Sequence, residues 1–266
     1  KAIMDEYPNF NIVGECWTRP TPAVAYWQSG VKNHNGFDSH LPSVMDFPLE
    51  EAIRQALESD SQGWGGGLTR VYDVLTMDYM YADVNDILIM LGNHDMDRIA
   101  DVVKDQDPRR VKLAYTLLAT MRGIPQVFYG DEYAMKSADR KLGHSTLRMP
   151  LPLGEEVTAE MQDMFDYQSR LFQWRKGEEV IHTGKTMHFM SRDNTYGFFR
   201  YNDSEAVFVF VNASEDNRTI PTANYAEILG KYNAVGQDII TGKTYDLNQK
   251  DIVVEPLSSI VVKLNK

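Results

Sequence analysis

Only one cysteine, Cys16, occurs in 266 residues, so no intramolecular disulfide can form and the redox compartment is left open. Positive charge is scarce. Lys and Arg number 27 against 38 Asp and Glu, a net charge of −11. That balance argues against a nucleic-acid partner, which needs a basic face. No apolar run approaches the ~18 residues of a membrane span. Histidines number six and are scattered. There is no signal-like leader and no initiator methionine, and Lys1–Tyr7 reads as the tail of a helix, so the start is expected to be a cut. Repeats and low-complexity segments are lacking. What is there is globular in balance: 43% hydrophobic and 24% charged, enough chain for one large or two ordinary domains.

From 11 to 130 short apolar strands alternate with amphipathic helices. Asn11-Ile12-Val13 is a first strand, Ser43–Phe47 a second and Ile87–Leu91 a third. Gln126–Tyr129 is read as the fourth. Pro48 suits a first helical turn, and Leu49, Ala52, Ile53, Ala56 and Leu57 share one face. Leu68, Val71, Tyr72, Leu75 and Tyr79 repeat that spacing after the Gly65-Gly66-Gly67 break. Asp107-Pro108 opens a further helix that Gly123 stops. Strands separated by helices imply a parallel sheet. A last helix spans Thr158 to Lys176, with Met161, Met164, Phe165, Leu171 and Phe172 inward. After 180 strand follows strand, as in Tyr196–Tyr201, Ala206–Val211 and Ile260–Leu264, which predicts an antiparallel β-sandwich domain. The boundary is placed between 177 and 178.

Chemistry concentrates where strands end. The third strand runs into Gly92-Asn93-His94-Asp95, and the first into Gly14-Glu15-Cys16-Trp17. In parallel α/β folds that rim is where active sites are built. A glutamate beside Trp17 in a partly desolvated pocket would hold a proton for general-acid work. Its bland alternative is a helix-start or salt-bridge role. His94 offers ring nitrogens to a hydroxyl, and Asp95 offers a fixed carboxylate; the competing account is that Asn93 or Asp95 caps a helix. Asp97 and Arg98 read equally well as a surface ion pair.

Two enzyme classes compete for Gly-Asn-His-Asp. A metal-dependent phosphoesterase uses such a step, and Asp38-Ser39-His40 mildly favours it. It needs several His, Asp and Asn ligands around two ions. No Gly-Asp-x-x-Asp lies between 40 and 92, and Gly143-His144-Ser145-Thr146 lacks a second histidine. The other class rests on three motifs in order. Gly14-Glu15-Cys16-Trp17 resembles the fifth-strand motif of the α-amylase family, glycoside hydrolase family thirteen. Asn93-His94-Asp95 with Arg98 resembles its seventh-strand motif. Gly123-Ile124-Pro125 and Phe128–Glu132 resemble its eighth-strand stretch. Phe37–Leu49 is similar to the neopullulanase and cyclomaltodextrinase branch.

The resemblance implies an α/β fold, the second half of a (β/α)8 TIM-type barrel over 1–177, followed by an all-β antiparallel sandwich over 178–266. It implies a retaining glycoside hydrolase acting on α-1,4-glucans such as starch, maltodextrin, cyclodextrin or pullulan. By position Glu15 is the acid/base and Asp95 the transition-state stabiliser; His94, Trp17 and Arg98 are substrate-binding. No metal or cofactor takes part. The family nucleophile, an aspartate after strand four, has no match, because Asp5 lies in a helix. This chain alone is therefore expected to be inactive, and to dimerise or associate through open barrel edges. A periplasmic or secreted location is favoured over a cytoplasmic one. The non-enzymatic alternative is a carbohydrate-binding module at 180–266, its platform drawn from Phe189, Tyr196, Phe198 and Phe199.

Overall fold

The computed structural model describes residues 1–61 and 63–266. A short helix α1 (Ala2–Glu6) precedes strand β1 (Val13–Gly14), helix α2 (Thr21–Ala25) and strand β2 (Ser43–Val44). Helices α3 (Phe47–Leu57) and α4 (Thr69–Leu75) lead to β3 (Leu88–Met90). Helices α5 (Ile99–Val102) and α6 (Pro108–Thr120) lead to β4 (Ile124–Gln126), and α7 (Ala159–Lys176) closes this half.

The four strands run parallel in sequential order. β1 pairs with β2 and β3 with β4. A parallel bridge between Met45 and Leu88 joins the two pairs, supported by Asp46 N–H donating to Leu88 O at 2.8 Å. Every strand therefore leaves the sheet at the same end, which puts the segments after β1 and β3 on one rim. The helices form where their caps allow. The Asp46 carboxylate accepts from Leu49 N–H, that of Asp107 from Arg109 N–H, and the Thr158 hydroxyl from Met161 N–H. Proline stands in the first turn of α3 and α6, as expected.

A six-stranded antiparallel sheet follows. Its strands are β5 (Lys185–His188), β6 (Thr195–Tyr201), β7 (Glu205–Asn212), β9 (Val235–Asp238), β10 (Thr244–Asp246) and β12 (Ser258–Asn265), ordered β10-β9-β12-β7-β6-β5. A second layer holds the pair β8 (Arg218–Thr219) and β11 (Val253–Val254). Strand β7 shows why these strands read as unbroken apolar runs. Its Val207, Val209 and Val211 pack toward the helices of the α/β half. Ala206, Phe208 and Phe210 point the other way, onto Ile220, Tyr225 and Val254. With side chains alternating along a strand, both faces are buried.

Three sequence expectations shift. The fourth strand is Ile124–Gln126 rather than 126–129. Phe165 faces outward, 37% exposed, stacked on Tyr133 at 5.4 Å, whereas Gln168 and Arg175 take inward positions of α7. Tyr196, Phe198 and Phe199 are fully buried and Phe189 packs onto Tyr225, so these aromatics form core and not a sugar platform.

Candidate active site

Gly14 ends β1 against Leu41, and an added Cβ would meet Leu41 Cδ1 at 2.6 Å. Its carbonyl accepts from Met45 N–H at 3.1 Å and from Cys16 N–H at 3.2 Å, which fixes the turn carrying Glu15. Glu15 is exposed, so the partly desolvated pocket expected around it is not formed by the described residues. Trp17 is 46% exposed and stacks on Phe47 with ring centroids 5.0 Å apart and planes at 21°. Phe47 is buried at the start of α3 and shares a cluster with Met90 of β3 and Met96 beyond it. One apolar patch thus runs beneath the rim, from the Glu15 loop to the Asp95 loop, with the start of α3 between them. Packing at the strand end engages one face of the Trp17 ring. The exposed remainder is open to a ligand.

Asn93 shapes the second loop. It is buried, and its Oδ1 accepts from Asp95 N–H at 2.8 Å, an Asx turn that orients the carboxylate. Helix capping by Asn93 or Asp95 is not seen, because α5 begins only at Ile99. His94 stands out at 56% side-chain exposure, its Nε2 3.2 Å from Asp95 Oδ2. Arg148 donates from Nη2 to Asp95 Oδ1 at 2.9 Å and from Nε to His94 O at 3.3 Å. The two oxygens of Asp95 are thus engaged by a histidine and an arginine whose side chains are themselves about half exposed. From sequence alone Arg148 is assigned no role. The contact spans 53 positions, and no local pattern signals it.

Arg98 departs from expectation. Its side chain is fully buried rather than facing a sugar. Nε and Nη2 donate to Leu147 O at 3.1 and 2.7 Å, and Nη1 donates to Tyr129 O at 2.9 Å and to Asp131 Oδ1 at 2.6 Å. The guanidinium carbon lies 4.5 Å from the centre of the Phe128 ring. Its contacts are those of a positioning group that ties the loop after β3 to the loop after β4. Asp97 with Arg140 at 2.6 Å and Asp101 with Ser137 N–H at 2.9 Å add to the same tie. Burial pushes the Asp131 carboxyl up, while the Arg98 guanidinium and the Tyr115 hydroxyl draw it back.

Asp38 and His40, the upstream hint of a metal site, lie in the segment leading into β2, at the other end of the sheet from His94. The Asp38 carboxylate is held low by the backbone N–H of His40, which it accepts at 2.8 Å. Among the described residues no group of three or more His, Cys, Asp or Glu side chains is placed to hold a metal ion. The arrangement on the rim is one exposed glutamate, one oriented aspartate with its histidine, and an indole face. It suits a neutral ligand rich in hydroxyls.

Comparison with known proteins shows what the chain as a whole is similar to. Residues 1–220 match the α-amylase catalytic domain family, and residues 186–263 match the cyclo-malto-dextrinase C-terminal domain family. A cyclomaltodextrin glucanotransferase of Geobacillus stearothermophilus is 25% identical over 272 residues, covering 95% of this chain and 34% of that protein. Among solved structures, an Anoxybacillus α-amylase superposes with TM-score 0.78 at 18% identity, over 99% of this chain and 54% of that one. The α-amylase of Geobacillus thermoleovorans, solved with acarbose, gives TM-score 0.75 at 19% identity, over 99% and 55%. The chain thus spans about a third of the curated relative and about half of the solved structures. The fold is that of the second half of a TIM-type barrel followed by a C-terminal antiparallel β domain, as in these α-amylases.

Proposed function

The chain belongs to the α-amylase family of glycoside hydrolases and transferases, and on that premise we propose that it supplies the acid/base side of a retaining α-glucan site. Glu15 donates the proton to the leaving glycosidic oxygen. Asp95 and His94 hold sugar hydroxyls and steady the charge that develops at the anomeric carbon. Trp17 lends its exposed face to a sugar ring. The observation that carries the reading is the shared rim: Glu15 follows β1, Asp95 follows β3, and the Trp17–Phe47–Met90 patch joins their loops. Acarbose in the related Geobacillus thermoleovorans enzyme favours an oligosaccharide ligand.

Retention needs a second carboxylate as nucleophile, ~5–5.5 Å from the acid/base. No residue of 1–266 is assigned that role; Asp5 lies in α1 and follows no strand. General-acid catalysis alone gives roughly 10²–10⁴-fold, so the isolated chain binds glucan but turns it over poorly. The substrates are α-1,4-linked glucans in the cyclomaltodextrinase and neopullulanase range. The place of action is periplasmic or secreted, where polymeric glucans are met.

The test is a calorimetric titration of the purified chain with acarbose, paired with a maltoheptaose hydrolysis assay. Binding that weakens at least tenfold in Asp95→Ala and His94→Ala, with hydrolysis near background, is the expected result. Acarbose affinity indifferent to both changes, or turnover typical of an intact amylase, overturns it.

A further inference from the structure

Arg200 of β6 is 1% exposed, and the partners of its guanidinium are all neutral. Nη1 donates to Thr186 Oγ1 at 2.7 Å, and Nη2 donates to Asn85 Oδ1 at 2.8 Å and to Ile181 O at 2.9 Å. Nε is buried and donates to nothing among the described residues. A charge taken out of water is costly unless an opposite charge meets it. Other buried arginines of the chain follow that rule: Arg98 meets Asp131, Arg110 meets Asp60, and Arg122 meets Asp46. Arg175 shares the lack of an acid, but three carbonyls close over it, those of Ala119, Met121 and Gly123. Arg200 instead borders open space.

That space is a hollow of about 300 Å³ at the seam between the two halves of the molecule. Asp78 and Asn85, which precede β3, stand on one side, and Lys185, Thr186 and His188 of β5 on the other. Asp78 is the one carboxylate on the lining among the described residues, and Arg122 takes it up: Nε of Arg122 donates to both of its oxygens, at 3.1 and 3.0 Å. Lys185 is exposed, and its ammonium has no partner among the described residues. Asn85 and Thr186 give Arg200 only acceptor atoms, so an amide N–H pair and a hydroxyl hydrogen remain as donors. Burial draws the His188 imidazole down, which leaves it neutral at pH 7. Burial, with Arg175 and Arg122 close by, also draws the Arg200 guanidinium down, to about 9.

These groups select by charge. A cation entering the hollow would add to Arg200 and Lys185. A neutral guest would leave the guanidinium uncompensated. An anion meets two positive groups and two neutral donors, and guanidinium and ammonium groups with hydroxyl and amide donors are the usual partners of a tetrahedral oxyanion.

We propose that this hollow is a binding site for a doubly charged oxyanion of the phosphate class, which joins the α/β half to the antiparallel half by supplying the counter-charge that Arg200 lacks. The site is separate from the rim of Glu15 and Asp95 and does not depend on what the rim binds. Because the anion binds only the folded chain, it stabilises the seam in proportion to its concentration.

The test is a titration of sodium phosphate into the ¹⁵N-labelled full chain by NMR, at pH 7.5 and constant ionic strength set with sodium chloride. Saturable amide shifts are expected at Asn85 and over 183–188, with Glu15 and Asp95 unmoved, and saturating phosphate should raise the melting temperature by about 3 °C over chloride. Lys185→Ala, an exposed change, should weaken binding about fivefold, and Lys185→Glu further. Arg200→Gln should abolish it; should that variant not fold, the two Lys185 variants carry the test. Glycerol 3-phosphate in a parallel titration separates the two sources of this chemistry, since tighter binding than phosphate marks a phosphate monoester and weaker binding the free ion. Shifts reproduced by chloride alone, shifts indifferent to Lys185→Glu, or no shift at Asn85 and 183–188 overturn the site and leave the enzymatic reading untouched.

Discussion

Among the described residues, the carboxyl group at position 50 has no hydrogen-bond partner. Glu50 lies on α3 with its side chain fully buried, and its nearest cation is Arg54 Nε at 3.5 Å. Burial pushes its carboxyl up to about 7. The folded chain therefore holds this proton more tightly than the unfolded chain does, so the contribution to stability is greatest at low pH. It declines as pH rises from about 4.5 through about 7 and is flat above. A span of that size corresponds to at most ~3 kcal/mol. Glu50→Gln is expected to raise the melting temperature by about 5 °C at pH 8 and to change it little at pH 5. Thermal melts at the two values check this; an equal shift at both would mean that charge is not the cause. At Arg148 the effect falls on binding. Its pair with Asp95 is half exposed on the arginine side, so Arg148→Ala should cost stability under ~1 kcal/mol. Yet Asp95 loses the group that fixes one of its oxygens, so acarbose affinity is expected to fall about fivefold. Unchanged affinity in the same titration would leave Arg148 a surface pair and nothing more.

The loops after β3 and β4 behave as one element because Arg98 joins them. Arg98→Met leaves Asp131 buried beside Tyr115 without its cation, and removing one partner of a buried pair costs roughly 3–5 kcal/mol. Urea unfolding should register most of that, with faster proteolysis between 129 and 148. A loss below about 1 kcal/mol would show that the pair is not what holds the loops. This element also marks the limit of what the sequence discloses. Local signals read well: Asp107 and Thr158 cap the helices that they announce, and the apolar face of α3 is buried as its spacing indicates. Glu15, His94 and Asp95 stand out as candidates because glycine-flanked polar residues follow apolar strands, and the structure puts them after parallel strands. Arg98 was legible as important but misread in role, since its partners at 129, 131 and 147 are set by tertiary packing. The fourth strand was misplaced for a related reason. Val127-Phe128-Tyr129 has the composition of a strand, but these rings leave the sheet, and Phe128 and Tyr129 flank Arg98.

Across the whole molecule the four-stranded parallel sheet has two open edges. Among the described residues, β1 pairs only with β2 and β4 only with β3. The outer strands carry Val13 at 40% and Ile124 at 53% exposure, and Ile3, Tyr7 and Phe10 add apolar surface near β1. The antiparallel half is managed differently, with both faces of its main sheet covered. Unpaired N–H and C=O groups next to exposed aliphatic side chains are a template for another strand, and charge on such an edge is the usual deterrent. The net charge of −11 opposes association at long range but is screened beyond ~8 Å at physiological salt, whereas strand pairing acts at contact. The chain on its own is therefore expected to self-associate through these edges, increasingly so with added salt. Sedimentation from 5 to 100 µM should show mass rising with concentration. Ile124→Lys, which puts a charge on the edge of β4 without touching the rim, should lower that mass at every concentration. A chain that stays monomeric throughout, at low and high salt alike, would mean that something other than strand pairing satisfies the two edges.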